Sequence, residues 1–384
     1  MPTPSATTIN APPPTMNTPY TSYSAAAAGA RRVPGLDFPI SRRTDPVSVR
    51  PGTRVIVRRL LDTPDDHGHT VTDVIGTLVS TSPLRVRAHS PQDNLTAADD
   101  ATDAQRTVEI DPRSVVVLKT LSTKPVRNRD IRAVEQAAAA AFPGKTNRMI
   151  GGWLARAGDG ITERSNSAVP IGPEAATSAL PLDEIHAFYR EHDLPTQLLV
   201  PDRIGRAAEN VAGERGPEII VMTRDLKSTD APDATNSPAT RPPELSAGVE
   251  ITVTDQPDED WLSMYHFRGE PLPRHALELL CERIDGTLGF ARLTVDGQLA
   301  AITRGTITRG GEHTWLGYSA VEVAEDFRRQ GLGTLLGRHM LYWGTAGGAD
   351  GAYLDVISTN VAGRGLYHNL GFGEHHRHRS VRVG

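Results

Sequence analysis

Apolar and polar residues alternate in short runs between about residues 47 and 120. The runs are RVIVRR at Arg54 to Arg59, VTDVIGTLVS at Val71 to Ser80, LRVRA at Leu84 to Ala88, TVEI at Thr107 to Ile110 and SVVVL at Ser114 to Leu118. Period-two patterns punctuated by Pro51-Gly52, Pro83 and Pro112 predict five strands joined by turns. A small all-β SH3-like barrel over 45–122 is the natural size match. The acidic, small-residue stretch from Gln92 to Ala104 predicts a long solvated hairpin loop.

The pattern changes after residue 128. An Ala-rich helix is expected at Ile131 to Ala141, strands near Gly152 to Arg156 and Ile161 to Val169, and a helix around Leu182 to His192. Strands at Gln197 to Val200 and Glu218 to Met222 complete an α/β region over 128–226. Prolines and small polar residues from Lys227 to Ala247 predict a linker. Beyond it lies a last domain, 248–384, which opens on the strand VEITV. Helices follow at Glu259 to Phe267 and Arg274 to Ile284, then strands at Leu288 to Val295, Leu299 to Thr308 and Thr314 to Val323. A helix from Gly331 places Leu332, Leu335, Leu336, Met340 and Trp343 on one side, and Ala352 to Ile357 alternates as a strand. A second helix and a final strand end the chain.

At 384 residues the chain exceeds one ordinary domain. Its 38% hydrophobic and 23% charged residues fit a soluble globular protein. No run approaches the roughly 18 apolar residues of a spanning helix, and the first thirty residues carry no charge, so the basic start of a signal peptide is missing. A cytoplasmic location without a membrane partner is therefore expected. Residues 1–44, rich in Pro, Ala, Thr and Ser, predict a disordered tail.

The net charge of −5, from 41 basic and 46 acidic residues, argues against general polyanion binding. Between Asp45 and Lys119 there are 9 basic and 11 acidic residues and no aromatic. Nucleic acid is not an expected partner, and the barrel reads as a packing or protein-docking module. The single cysteine, Cys281, excludes an internal disulfide or a cysteine-clustered zinc site, and its setting in HALELLCERI suggests a buried helix face.

The strongest chemical signal is the strand-to-helix junction VEVAEDFRRQGLGT, Val321 to Thr334. Gly331 and Gly333 at a helix start let a ligand approach the backbone, where unpaired first-turn amides point outward as phosphate donors. The run is neither a P-loop nor G-x-G-x-x-G. After the next strand, Asn360, Gly363 and Tyr367 recur three and four residues apart on one helical face, and a small residue one turn before a tyrosine leaves room for a ligand.

On these residues the chain resembles the GCN5-related N-acetyltransferase (GNAT) superfamily. Its R/Q-x-x-G-x-G/A signature appears as Arg328-Arg329-Gln330-Gly331-Leu332-Gly333. Its N-x-x-A-x-x-x-Y-x-x-x-G-F pattern runs from Asn360 to Phe372, with Gly363 in place of alanine. The resemblance covers about 249–384. The whole chain also looks like an actinobacterial GNAT subfamily with an SH3-like barrel in front, through the run Gly151 to Gly172. The middle region is then a degenerate GNAT-like half that lacks the glycine signature.

The resemblance implies an α/β GNAT fold and an N-acetyltransferase that uses acetyl-CoA as acyl donor, with no metal. Attack by a primary amine, on a small molecule or a protein, occurs directly in a ternary complex. Backbone amides from Arg329 through Thr334 would hold the pyrophosphate, while Val321 and Val323 would pair with the pantetheine as an added strand. Tyr367 would protonate the departing thiolate, and Asn360 would help fix the cofactor arm.

Glu322, between the two valines, is the local candidate for the base. His375, His376 and His378 lie on a terminal strand where adjacent side chains oppose, with no carboxylate pair in sequence, so a metal is not expected. Arg164, Ser165 and Asn166 either satisfy a turn or reach an acceptor, and Trp153 reads as core. A non-enzymatic acyl-CoA sensor or scaffold is the alternative function.

Overall fold

The computed structural model describes residues 29–44, 46–89, 107–121, 126–227, 241–267, 270–271, 273–281 and 284–384. No helix among them is long and apolar enough to cross a membrane. The chain divides into two compact units, Met1–Leu121 and Ser122–Gly384.

The first unit is all β: β1 (Ala30–Arg31), β2 (Ile40–Ser41), β3 (Arg54–Leu60), β4 (Val71–Thr81), β5 (Leu84–Ala88), β6 (Thr107–Glu109) and β7 (Val115–Thr120). The five longest match the five runs read from the alternation. They pair in the order β1-β2-β7-β3-β4-β5-β6. Closure of β6 onto β1, which a barrel requires, is not among the pairings of the described residues. Inward positions of the alternation, Val55, Val57, Leu78, Leu84, Val86 and Leu118, are fully buried.

Residues 29–44 correct the expectation of a disordered tail up to residue 44. Phe38 and Ile40 bury completely in this core, and β2 pairs in parallel with β7 at Ile40 and Leu118. Two large apolar side chains within three residues offset the entropy of ordering that the surrounding composition resists. The earlier part of the tail, the expected Gln92–Ala104 loop and most of the expected linker lie outside the described residues.

The second unit opens with α1 (Asn128–Ala141), whose Asp130 side chain accepts a 2.7 Å hydrogen bond from the Arg127 amide and closes the helix start. A small sheet follows, ordered β10-β9-β8, from β8 (Thr146–Ile150), β9 (Trp153–Ala157) and β10 (Val169–Pro170). β8 escapes the pattern because its residues Thr146 to Met149 are all exposed. The strand expected at Ile161 to Val169 is instead a short 3-10 turn, Glu163–Ser165, ahead of β10. Asn166 organises it: Oδ1 accepts from the amides of Gly158 and Gly160 at 2.9 and 2.8 Å, and Nδ2 donates to Thr162 O and Asp159 Oδ1. Trp153 is core, fully buried beside Tyr189 of α2 (Leu182–Glu191).

The remaining elements build one nine-stranded sheet with its helices and a separate two-stranded hairpin. They are β11 (Gln197–Pro201), β12 (Glu214–Arg215), β13 (Ile219–Asp225), β14 (Val249–Thr254), α3 (Glu259–Met264), the hairpin β15 (His266–Phe267) and β16 (Glu270–Pro271), α4 (Arg274–Leu280), β17 (Gly286–Val295), β18 (Gln298–Gly310), β19 (His313–Val323), α5 (Leu332–Ala346), β20 (Gly351–Ile357), α6 (Val361–Asn369) and β21 (Gly373–Arg382). Their order is β11-β21-β13-β20-β19-β18-β17-β14, with β12 also on β21. Only β19 and β20 run parallel. β13, from the middle of the chain, is threaded between β20 and β21 and pairs antiparallel with both. The regions 128–226 and 248–384 therefore share one sheet.

Alternation along β18 separates the two faces. Ala301, Gly305 and Ile307 look toward α5, whereas Ile302, Arg304 and Thr308 look toward α1 and α3. α1 is anchored there by Thr308 Oγ1 to Ala137 O at 2.9 Å and Arg304 Nη2 to Ala141 O at 3.0 Å. The main core lies on the α5–α6 side, with Leu336, Met340 and Leu370 against Ala291, Leu293, Leu316 and Leu354.

Candidate functional site

The parallel pairing of β19 with β20 is short. It covers Trp315 to Tyr318 against Gly351 to Leu354, after which both strands continue without pairing to each other. β19 bulges at this point: the β18 register shifts between Ile302 and Arg304, and Ala320 takes φ 52°. The result is a sheet parted in its middle, where β19 beyond Tyr318 no longer pairs with β20.

Directly beyond the gap, Glu325–Phe327 form a 3-10 turn and the chain enters α5 through two left-handed residues, Arg329 (φ 60°) and Gly331 (φ 83°). Gly331 caps the helix without a side-chain bond, and a Cβ built there meets nothing within 4 Å. The glycine is needed for its backbone angle rather than for close packing. Gly333 differs, since a Cβ there would make ordinary contacts with Leu366 and Val323. The helix start leaves the amides of Leu332, Gly333 and Thr334 without intrahelical acceptors. The long side chains of the motif brace the turn: Arg328 Nε donates to Val323 O at 3.1 Å and Gln330 Nε2 to Asp326 O at 3.0 Å.

Tyr367 of α6 lies on the α5 side of the parted strands. It is 9% exposed, edge-on to Tyr318 and Phe372 with ring centroids 6.2 and 6.3 Å away. Burial pushes its phenol up to about 12, so it stays protonated through the neutral range. Tyr318, the last residue of β19 that pairs with β20, was not singled out from sequence. Its only signal there is an aromatic two residues before the bulge.

Val321 and Val323 pack against the same core as Tyr367. Glu322 is directed to the opposite face by strand alternation. It is half-buried there; burial raises its carboxyl above the ordinary range, partly offset by the charges of His266 and Arg328. The structure thus brings Tyr367 and the valines together on one face and sets Glu322 across the sheet from them. His266 was also missed from sequence; its Nδ1 donates to Met264 O at 2.9 Å.

Asn360 caps α6, its Oδ1 accepting from the Gly363 amide at 2.9 Å. A Cβ at residue 363 would approach Asn360 Nδ2 to 2.8 Å. The Asn360 side chain thus occupies the space that a side chain at 363 would need. Cys281 ends α4, its thiol raised by burial and so poorly suited to act as a nucleophile. Arg164 and Arg304 stand over the Phe142 ring at 4.0 and 4.5 Å.

The model of the family described as "Probable histone acetyltransferase Rv0428c C-terminal" matches residues 128–381. The probable histone acetyltransferase Rv0428c of Mycobacterium tuberculosis is 35% identical over 331 residues, 85% of this chain and 94% of its own length. The uncharacterized N-acetyltransferase YobR of Bacillus subtilis is 28% identical over 256 residues, 64% of this chain and 97% of its own. A solved GCN5-related N-acetyltransferase from Kribbella flavida superposes with a TM-score of 0.46 at 15% identity, covering 67% of this chain and 96% of that one. The match spans the parted strands, the glycine turn and the tyrosine helix in one continuous stretch, so the chain belongs to the Rv0428c C-terminal family and is an N-acetyltransferase of the GNAT superfamily.

Proposed function

We propose that this acetyltransferase takes its acetyl group from acetyl-CoA and delivers it to a primary amine by direct attack in a ternary complex. The observation that carries the reading is the meeting of the parted β19 and β20 with the left-handed turn at Arg329 to Gly331. Beyond Tyr318 the two strands no longer pair, the helix-start amides lack intrahelical acceptors, and the protonated Tyr367 packs in the same core as Val321, Val323 and Leu332. The residues fit the donor: Val321 and Val323 offer main-chain groups to a pantetheine amide, and amides from Arg329 to Thr334 suit a pyrophosphate. Arg328 and Gln330 hold the turn, and Asn360 and Gly363 set the start of α6 beside it. The donor supplies an activated acyl carbon. Tyr367 provides a proton for the departing sulfur.

Glu322, on the other face, accepts the amine proton. A carboxyl raised by burial is a better base than an ordinary one, at the cost of being protonated sooner as pH falls. The kcat/KM of the wild type should therefore decline on the acid side through the raised Glu322 pKa. Glu322→Gln should lower kcat/KM by about 10²-fold or more and abolish that acid limb. A variant that keeps the same limb places the base elsewhere.

Gly331→Val tests the donor site separately. A left-handed backbone costs a β-branched residue about 1–2 kcal/mol, and the side chain would project where the pyrophosphate is expected. Acetyl-CoA affinity measured by calorimetry should fall at least about tenfold in a variant that still folds. Unchanged affinity removes the turn from the donor site.

The relative named as a probable histone acetyltransferase makes a lysine side chain of a protein the first acceptor to try. Thiol release from acetyl-CoA, followed across lysine peptides and small amines, tests the function as a whole. Release that no acceptor stimulates would sink the enzyme reading of this site.

A further inference from the structure

We infer that Glu135, His376 and His378 form a binding site for a divalent transition-metal ion of the zinc class, clamping α1 to β21. His376 Nε2 and His378 Nδ1 lie 2.8 and 3.0 Å from the same carboxylate oxygen, Glu135 Oε1. The three ligand atoms all fall within 4.8 Å of one another. All three side chains are almost wholly enclosed, with exposures of 3, 1 and 7%.

The strand builds this set deliberately. His376 and His378 are two residues apart on β21, so their rings share the face that meets α1. The β13–β21 register shifts between Val221 and Met222, opposite His376 and Glu374, which makes His375 the extra residue of a bulge. Adjacent side chains that would otherwise oppose are thereby turned toward each other: His375 Nδ1 sits 2.7 Å from His376 Nδ1, with ring centroids 5.0 Å apart. An imidazole bound to metal through one nitrogen and hydrogen-bonded through the other is the usual arrangement of a metal-ligating histidine. His375 supplies that second partner.

Two imidazoles and one carboxylate are the donor set of zinc and its neighbours rather than of calcium or magnesium. Ligand atoms around a tetrahedral ion at about 2.0–2.1 Å stand roughly 3.3 Å apart, a few tenths of an ångström wider than the two N···O contacts here. The fourth position falls to water or to the second oxygen of Glu135.

Each N···O contact is a hydrogen bond that the ion would replace, so metal binding displaces protons and weakens as pH falls.

The test uses full-length protein without a histidine tag. About one equivalent of zinc should remain after gel filtration, or bind to chelator-stripped protein with saturation near one equivalent. At a hundredfold excess over the dissociation constant the melting temperature should rise by about 5–10 °C. Cobalt(II) should give the visible bands of a low-symmetry site. His375→Ala should weaken binding about 10- to 100-fold, and Glu135→Gln should lose the bound equivalent. Should either variant fail to fold, the wild-type cobalt spectrum and stoichiometry decide alone. Wild type that shows less than about 0.1 equivalents of metal and no saturable response to zinc or cobalt overturns the inference and leaves a hydrogen-bonded lock.

Discussion

Tyr367→Phe is expected to lower kcat by about 10²- to 10⁴-fold at saturating acetyl-CoA, while leaving stability and donor affinity nearly unchanged. The substitution removes one oxygen. The ring keeps its edge-on neighbours Tyr318 and Phe372 and its place in the main core, so no cavity forms. What disappears is a proton donor that burial keeps loaded up to about pH 12. The loss should be constant across the neutral range, since the phenol does not titrate there. This flat profile contrasts with Glu322, whose loss should cost most at and above neutral pH and least on the acid side, where the wild-type carboxyl is itself protonated. Single-turnover measurement of acetyl transfer separates chemistry from product release. A wild-type rate in Tyr367→Phe, with chemistry limiting, would make the residue a packing aromatic and leave the thiolate to be protonated by water.

Much of the arrangement was legible because local signals agreed with tertiary demands. The helix from Gly331 could be read from its spacing and from a glycine that a left-handed φ of 83° requires. The alternation of Val55 and Val57 survived because one face of that sheet is buried. What sequence did not yield was long-range. The bulge at Ala320, which parts the sheet, is a register property between two strands and leaves no composition cue.

The carboxylate facing His376 and His378 lies more than 240 positions earlier in the chain, which is why those histidines read as lacking one. A local hint did exist. Glu135 stands four residues after Ile131 and one turn before Ala139, on the buried side of an otherwise Ala-rich helix. A glutamate at such a position needs a partner, because an unpaired buried charge is costly. Likewise the disorder expected through residue 44 gave way to two buried residues, Phe38 and Ile40, whose partners lie in later strands.

The threading of β13 leads to the second large expected effect: residues 241–384 expressed alone should not yield a folded protein, although both acetyltransferase motifs lie within them. Removing the preceding segment withdraws the strand between β20 and β21, leaving two strands with unpaired edges at a width no direct pairing can close. It also strips α1 from the sheet, exposing Thr308, Arg304 and the ring of Tyr353. Ile220, Val221 and Met222 are each no more than 2% exposed. Burial of three such side chains contributes roughly 5–9 kcal/mol, before α1 is counted, against the 5–15 kcal/mol net stability of an ordinary domain. The fragment should therefore be insoluble or lack a cooperative melt. Co-expression with residues 126–227 should restore a soluble complex that melts in one transition. A fragment of 241–384 that is monomeric, melts cooperatively and binds acetyl-CoA like the full chain would show that β13 is dispensable and that the last domain stands alone.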